Sequence, residues 1–91
     1  MRTLDRTTRF RRDYRRERKT DPTLVETLAG VVALLADDAV LPASLHDHPL
    51  VGNMKGYRDC HVRPDLVLIY GKGTPDILKL VRLGSHSELF G

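Results

Sequence analysis

The chain has 91 residues, of which 41% are hydrophobic and 30% charged, and its formal net charge is +3 at pH 7. This length allows one domain with a modest core, and the composition is typical of a globular protein rather than a disordered one. No apolar run approaches the roughly 20 residues that span a bilayer, and the amino terminus lacks the apolar core of a signal peptide. We therefore expect a single cytoplasmic domain, residues 1–91, with no membrane association.

The positive charge is concentrated at the N-terminal end. Residues 1–20 carry nine Arg or Lys and three Asp or Glu, a local balance of +6, whereas the remainder carries six and nine, a balance of −3. Such a block indicates contact with phosphate groups or with an acidic partner. The alternative is a solvated helix face that binds nothing.

The N-terminal part of the chain predicts a strand and a helix. Residues 2–6 are short and polar, which is compatible with an edge strand. The hydroxyl of Thr7 or Thr8 can accept an unpaired backbone N–H, so a first helix is expected from there to Lys19. Its apolar stripe is narrow, and we expect most of its arginines to remain in water.

A second helix is expected to supply most of the core. Asp21-Pro22 marks its start, because aspartate can cap a helix and proline suits the first helical position. The helix should end near Asp37-Asp38. Apolar residues recur between these points at helical spacing: Leu24, Leu28, Val31 and Leu35.

The second half of the chain predicts a loop followed by three strands. Residues 43–56 contain proline and glycine without a sustained period and indicate a loop. Strands are expected over 57–62, 65–70 and 77–83, and the middle one is apolar on both faces. Turns at Arg63-Pro64 and 71–75 make this an antiparallel meander. The fold class is therefore α+β, with two N-terminal helices packed on a small antiparallel sheet.

Histidines and one aspartate of the second half form the candidate reactive group. His61 and Asp65 flank the Arg63-Pro64 turn, where hairpin residues lie opposite or diagonal to each other. His48 precedes a proline in the loop, and His86 follows the third strand. Imidazoles, a carboxylate and nearby cations suit cleavage of an RNA phosphodiester by acid–base catalysis, which requires no cofactor. The candidate cations are Lys55, Arg58 and Arg82.

Other interpretations of these residues remain open at this point. The four histidines with Asp65 could instead bind zinc, although their spacing is only weakly ligand-like. Cys60 neighbours His61, but strand alternation directs the two side chains to opposite faces, which favours a buried thiol over a nucleophile. Phe90 lies close to the chain end, so it either docks the tail or stacks on a nucleobase.

The second half also carries a family resemblance. The segments HPLVGNMKGYRDCHVRPDLVLIY and RLGSHSELFG, within residues 46–91, resemble the YafQ group of bacterial toxins in the RelE/ParE superfamily. The N-terminal half matches mainly in its layout of a basic helix, an apolar helix and Leu-Pro. The resemblance implies a RelE/ParE-like fold with a short N-terminal edge strand. It also implies a ribosome-dependent mRNA endoribonuclease that cuts the codon in the A site and is inhibited by a cognate antitoxin.

The resemblance implies specific roles for residues of this chain. The active residues would be His48, His61, Asp65, His86 and Phe90. Asp65 would act as the base on the 2′-hydroxyl and His86 as the acid for the leaving oxygen, with no metal. His48 and His61 would stabilise the phosphate or share the proton transfers, and Phe90 would position the nucleotide. Cations of the first helix would contact RNA of the bacterial 70S ribosome: Arg9, Arg11, Arg12, Arg15, Arg16 and Lys19.

Two positions depart from the family pattern. Leu66 and Met54 stand where the best-known member has tryptophan, so codon preference or binding strength is expected to differ if either ring stacks on a base. An alternative function keeps the fold: a ParE-like toxin that inhibits a protein target such as gyrase without cutting RNA. Such a binder would have no need of the histidine–aspartate set.

Overall fold

The computed structural model describes all 91 residues, which form one five-stranded sheet with helices on one face and a short helix at its end. None of its helices combines the length and the hydropathy that a bilayer span requires. The elements are β1 (Thr3–Arg6), α1 (Thr8–Thr20), α2 (Leu24–Ala36), β2 (His48–Pro49), β3 (Arg58–Arg63), β4 (Leu66–Gly71), β5 (Ile77–Gly84) and α3 (His86–Phe90).

The sheet has the strand order β1-β5-β4-β3-β2. Strands β3 to β5 pair in antiparallel fashion, as the sequence predicts, and β2, which lies in the predicted loop, pairs antiparallel with β3. β1 pairs in parallel with the first half of β5. This parallel pairing was not predicted, because nothing in a four-residue polar strand specifies its partner. The α+β class and the two-helix layer are confirmed.

The core lies between the two long helices and one face of the sheet. α2 contributes the apolar stripe that the sequence predicts, and α1 contributes Phe10. Cys60 and Val62 of β3 face this core, as does every second residue of β4. All six residues of β4 are buried, so this strand is covered on both faces. Burial raises the pKa of the Cys60 thiol to about 12, and an uncharged thiol is a poor nucleophile.

Element boundaries differ from the predictions by one or two residues. The Asp21 carboxylate accepts the Thr23 N–H at 3.1 Å, but α2 begins at Leu24, and its N-cap is Thr23, whose side chain makes no capping hydrogen bond, rather than the predicted Asp21. The predicted loop contains the two-residue strand β2 and two single turns of 3-10 helix, Ala43–Leu45 and Gly52–Met54. The β3–β4 turn is centred on Pro64-Asp65, one residue later than predicted, because Arg63 still pairs with Leu66.

Asp13 anchors α1 to the sheet. Its carboxylate is buried and accepts hydrogen bonds from Arg82 Nε at 2.8 Å and Arg82 Nη2 at 3.1 Å. It also accepts the Leu83 N–H at 3.0 Å. β1 ends before this point of β5, so the Leu83 N–H has no partner on β1. Burial acts to raise the pKa of Asp13, but the hydrogen bonds from Arg82 and Leu83 outweigh it and hold the pKa below its ordinary value.

Replacing Asp13 with asparagine should destabilise the fold in a pH-dependent way. At pH 7 we expect a loss of about 2–3 kcal/mol in the free energy of unfolding, because a buried ion pair is broken. The pKa is lowered in the folded state, so the contribution of the ionised group is complete above its unfolded pKa. It is lost as the pH falls through the folded pKa, and the variant and the parent should then converge.

Urea unfolding at pH 7 and at about pH 3 measures both effects. Asp5→Asn is the control, since Asp5 is exposed on β1 and forms no ion pair, and it should change stability little at either pH. An Asp13→Asn effect of equal size at both pH values would show that packing, rather than charge, is responsible.

Candidate active site

The sheet face opposite the two long helices carries the polar candidates. On β3 the side chains of Asp59 and His61 alternate with those of Cys60 and Val62, which face the core. Their cross-strand partners on β4 are Ile69 and Val67, which belong to the face opposite the core cluster. The site is therefore built over an apolar floor.

β2 brings His48 next to Asp59. The two residues are cross-strand partners, and His48 Nδ1 lies 3.0 Å from Asp59 Oδ1. The same nitrogen lies 2.8 Å from the His46 carbonyl oxygen, which accepts its proton with the better alignment. Asp59 Oδ1 is thus a close neighbour of the ring but accepts no hydrogen bond within the chain. With Nδ1 as the donor, Nε2 of the neutral ring is free to accept a proton.

Asp59 is the carboxylate around which the histidines gather. It is only 2% exposed, and this burial raises its pKa. Positive charge on His48, His61 or His86 lowers the pKa of Asp59. All three imidazoles therefore lie within electrostatic range of this one carboxylate. Strand alternation places Asp59 on the same face as His61, but Asp59 was not among the predicted site residues. The available signal was that alternation together with its position in the Gly-Tyr-Arg-Asp motif.

His61 lies at the outer wall of the site. Its ring makes an edge contact with the ring of His46 at a centroid distance of 5.4 Å. The two rings and His48 line a groove of about 730 Å³ beside the β3–β4 turn. His46 was not among the predicted site residues, and its left-handed backbone, with φ of 48°, turns the loop toward β2.

α3 carries His86 and Phe90 at the opposite wall. The helix begins with a capping box, in which Ser85 Oγ accepts the Glu88 N–H at 3.2 Å and Glu88 Oε1 accepts the Ser85 N–H at 2.8 Å. The rings of His86 and Phe90 are 4.8 Å apart. Phe90 remains 37% exposed, so the tail docks without burying the aromatic ring.

The side chains of α3 pack closely against the backbone at Gly84. A Cβ at this position would lie 3.3 Å from both Glu88 Oε1 and Leu89 Cδ2. Arg16 of α1 adds a contact from outside, with Nη2 3.5 Å from Glu88 Oε2 and 3.4 Å from the Leu83 carbonyl oxygen. No residue of α3 is buried, so these polar contacts hold the helix rather than a core of its own.

Asp65 lies apart from the histidines. The prediction that it lies opposite or diagonal to His61 on the ladder was wrong, because His61 pairs with Val67, a bulge follows, and Asp65 itself lies in the turn. Asp65 is exposed in the turn and lines a separate depression with Arg63 and Ser85. It forms no hydrogen bond or ion pair with a histidine.

Two of the three predicted phosphate-binding cations are already paired. Arg82 is held by Asp13, and Arg58 donates to Asp47 Oδ2 at 2.9 Å. Lys55 is exposed in the loop and forms no ion pair. Leu66 is 7% exposed within the core cluster, so this position presents no surface on which a base could stack. Met54 is half-buried in a 3-10 turn.

The basic helix α1 exposes most of its cations. Arg16 is the only cation of this helix in an ion pair, with contacts to Asp13, Glu17 and Glu88. The others are exposed and have no carboxylate partner: Arg9, Arg11, Arg12, Arg15, Arg18 and Lys19. Four cations of the helix line a shallow groove of about 490 Å³ together with Thr20: Arg12, Arg15, Arg16 and Lys19.

The donor groups of the site do not form an evident metal centre. No three histidine, cysteine, aspartate or glutamate side chains in the chain are placed to hold one ion. Nδ1 of His48 is directed at a carbonyl, and Cys60 faces the core.

Comparison with known proteins places the chain in a family. Residues 2–91 match the family model described as YafQ, the bacterial toxin of type II toxin–antitoxin systems. The chain belongs to the YafQ toxin family. It is 39% identical over 82 residues to a protein of Escherichia coli strain B named mRNA interferase toxin YafQ, covering 90% of this chain and 88% of that protein.

Solved structures of the family share the whole fold. The Escherichia coli DinJ–YafQ complex contains a chain with 37% identity and a TM-score of 0.88, and the match covers 100% of both chains. A metal-bound toxin from Helicobacter pylori shows 42% identity and a TM-score of 0.90, covering 99% of this chain and 100% of the other.

Removing the cap of α3 should loosen the site without unfolding the sheet. Ser85→Ala eliminates the acceptor for the Glu88 N–H, at a cost of about 0.5–2 kcal/mol to this helix. We expect increased backbone mobility of residues 86–91 by ¹⁵N relaxation, with the amide signals of β4 unchanged. Ser44→Ala, at an exposed serine outside α3, is the control and should have little effect. Equal mobility in both variants would show that the capping box does not hold α3.

Proposed function

We propose that this toxin cleaves mRNA by acid–base catalysis on the open sheet face. The protein is a toxin of a type II toxin–antitoxin system and an mRNA interferase, that is, an endoribonuclease. The observation that supports the mechanism is the His48–Asp59 pair on one side of an apolar floor, with His86 on the other. Two imidazoles at opposite walls suit a reaction that needs a base and an acid at the same phosphate.

His48 is the proposed base. Its Nδ1 proton is directed at the His46 carbonyl beside Asp59, which leaves Nε2 as the acceptor for the 2′-hydroxyl proton. The 2′-oxygen then forms a bond to phosphorus while the bond from phosphorus to the 5′-oxygen breaks. The products are a 2′,3′-cyclic phosphate and a free 5′-hydroxyl. Asp59 stabilises the imidazolium that forms on His48.

His86 is the proposed acid that protonates the departing 5′-oxygen. The adjacent Phe90 ring, partly exposed, is suited to stack on the neighbouring base and to fix the distance to His86. His61 borders the same face and contributes a hydrogen bond or a positive charge to the phosphate. Lys55 is the unpaired cation among the three candidates, and Arg82 supports the wall through Asp13.

Asp65 remains the second candidate for the base. The family resemblance assigns it this role, and it is an exposed carboxylate. Its position in the turn would require the RNA to pass over the Pro64-Asp65 bend. The geometry of Asp59 and His48 needs no such path, and for this reason we favour His48.

The ribosome is the proposed setting of the reaction. The unpaired cations of α1 form a phosphate-binding surface that fits ribosomal RNA, with the A-site codon as substrate. The cytoplasm is the corresponding location. A cognate antitoxin is the proposed partner, because a related chain has been solved in the DinJ–YafQ complex.

Substitutions at the site should separate the two candidate bases. His86→Ala and His48→Ala should each lower cleavage by roughly 10²–10⁴-fold, since each removes a proton-transfer group. Asp59→Asn should also reduce cleavage, and Asp65→Asn should reduce it less. Primer extension on a message translated with purified protein measures the breaks at codon boundaries.

Several outcomes would contradict these assignments. Full cleavage by His86→Ala would refute the acid assignment, and a larger loss in Asp65→Asn than in Asp59→Asn would move the base to the turn. Circular dichroism of each variant establishes that the fold is retained. The ParE-like alternative predicts growth arrest with intact mRNA for every variant, including the parent.

Charge removal on α1 should weaken ribosome binding without altering the chemistry. The triple variant Arg12→Gln, Arg15→Gln, Lys19→Gln removes cations that have no carboxylate partner. We expect weaker binding and a salt dependence whose log–log slope falls by about 1 per lost phosphate contact. Sedimentation with 70S ribosomes across a salt series measures this. Lys72→Gln, whose ammonium pairs with Asp38, is the control and should leave the slope unchanged.

A further inference from the structure

The loop that supplies His46 and His48 is held by few backbone contacts. β2 has only two residues, and they pair with β3 alone. Beyond β2, the Leu50 N–H donates to the Tyr57 carbonyl oxygen at 2.9 Å. Before β2, the chain passes through the left-handed residue His46. A proton acceptor must be held in a fixed position. The two-residue pairing of β2 with β3 contributes little to holding His48 in place.

Asp47, between the two histidines, forms the strongest side-chain contacts of the loop. Arg58 Nη2 donates to its Oδ2 at 2.9 Å, and Arg58 Nε lies 3.4 Å from its Oδ1. The Tyr70 hydroxyl donates a hydrogen bond to the same Oδ1. The Asp47 carboxylate therefore accepts hydrogen bonds from both strands of the β3–β4 hairpin.

The two donors form a preassembled cradle. Arg58 and Tyr70 are cross-strand partners on β3 and β4. Tyr70 is 2% exposed, and its ring packs in the core, so its hydroxyl is a fixed point. Burial and the hydrogen bond to Asp47 raise the pKa of Tyr70, so its hydroxyl stays protonated and remains a donor.

The charge on Asp47 is maintained by the same contacts. Burial acts to raise its pKa, but the hydrogen bonds from Arg58 and Tyr70 outweigh it and the pKa lies below its ordinary value. Asp47 thus stays ionised at neutral pH and can hold both donors. This also explains why Arg58 is not available to a substrate phosphate.

We infer that Asp47 is a positioning residue for catalysis. Clamped by Arg58 and Tyr70, it fixes the backbone of residues 46–48 so that His48 faces Asp59 and the His46 carbonyl orients the imidazole. Its action is exerted through His48, so the inference rests on the proposed role of that residue. Neither Asp47 nor Tyr70 touches the substrate.

Tyr70→Phe provides the sharpest test, because it removes one hydroxyl and keeps the ring in the core. We expect kcat to fall roughly 10-fold with KM little changed, as for the loss of one hydrogen bond to a charged group. The ring signals of His48 in ¹H–¹³C NMR spectra should shift or broaden, and those of His86 should not. Tyr57→Phe is the matched control, since the Tyr57 hydroxyl forms no hydrogen bond.

Asp47→Asn and His48→Ala complete the experiment. Asp47→Asn should lose more activity than Tyr70→Phe, and Asp47→Glu should recover part of it. Adding Tyr70→Phe to His48→Ala should cause no further loss in single-turnover cleavage, because the group being positioned is gone.

The outcomes separate this inference from the proposed function. Tyr70→Phe with parental kcat and unshifted His48 signals would overturn the positioning role, even where stability falls. Retained cleavage by His48→Ala would instead refute the catalytic role of His48. The NMR shift at His48 in Tyr70→Phe would then still report whether Asp47 holds the loop.

Discussion

The rest of the structure depends on the burial of β4 on both faces. One face packs against α1 and α2, and the other forms the floor of the candidate active site. A strand covered on both sides cannot shift its register without exposing apolar surface. The positions of its neighbours β3 and β5 are therefore fixed, and these neighbours carry Asp59, His61 and the start of α3. The same hydrophobic pattern that stabilises the fold thus sets the spacing of the reactive groups.

Elements with strong local signals could be predicted from the sequence. The apolar stripe of α2, the alternation of β3 and the apolar run of β4 each indicate one type of element. The structure confirms all three elements. The histidines of the loop and tail were predicted to meet on one sheet face, and the field of all three at Asp59 agrees with this. The spacing of these histidines along the chain was informative because the strands between them are joined by two tight turns.

Features that depend on unique tertiary geometry could not be predicted. A bulge after His61 moves Asp65 out of the ladder, and no local pattern in the hairpin indicates it. Sequence shows how many cations a segment carries but not which carboxylate neutralises them. Arg82 and Asp13 are far apart in sequence, as are Arg63 and Asp21, so their pairing appears only in the folded chain. Asp59 was overlooked because burial, rather than spacing, distinguishes it.

The short helix α3 makes one wall of the site less stable to heat than the sheet beneath it. It has no buried residue and is held by a capping box and one guanidinium, whereas the strands beneath it are packed on both sides. Segments with so little buried surface open at a lower free energy than the core of the same domain. On warming, His86 and Phe90 should leave the site while the sheet is still intact. The upper temperature limit of the enzyme would then lie below its melting point, and spectroscopic unfolding curves would overstate the range in which it works.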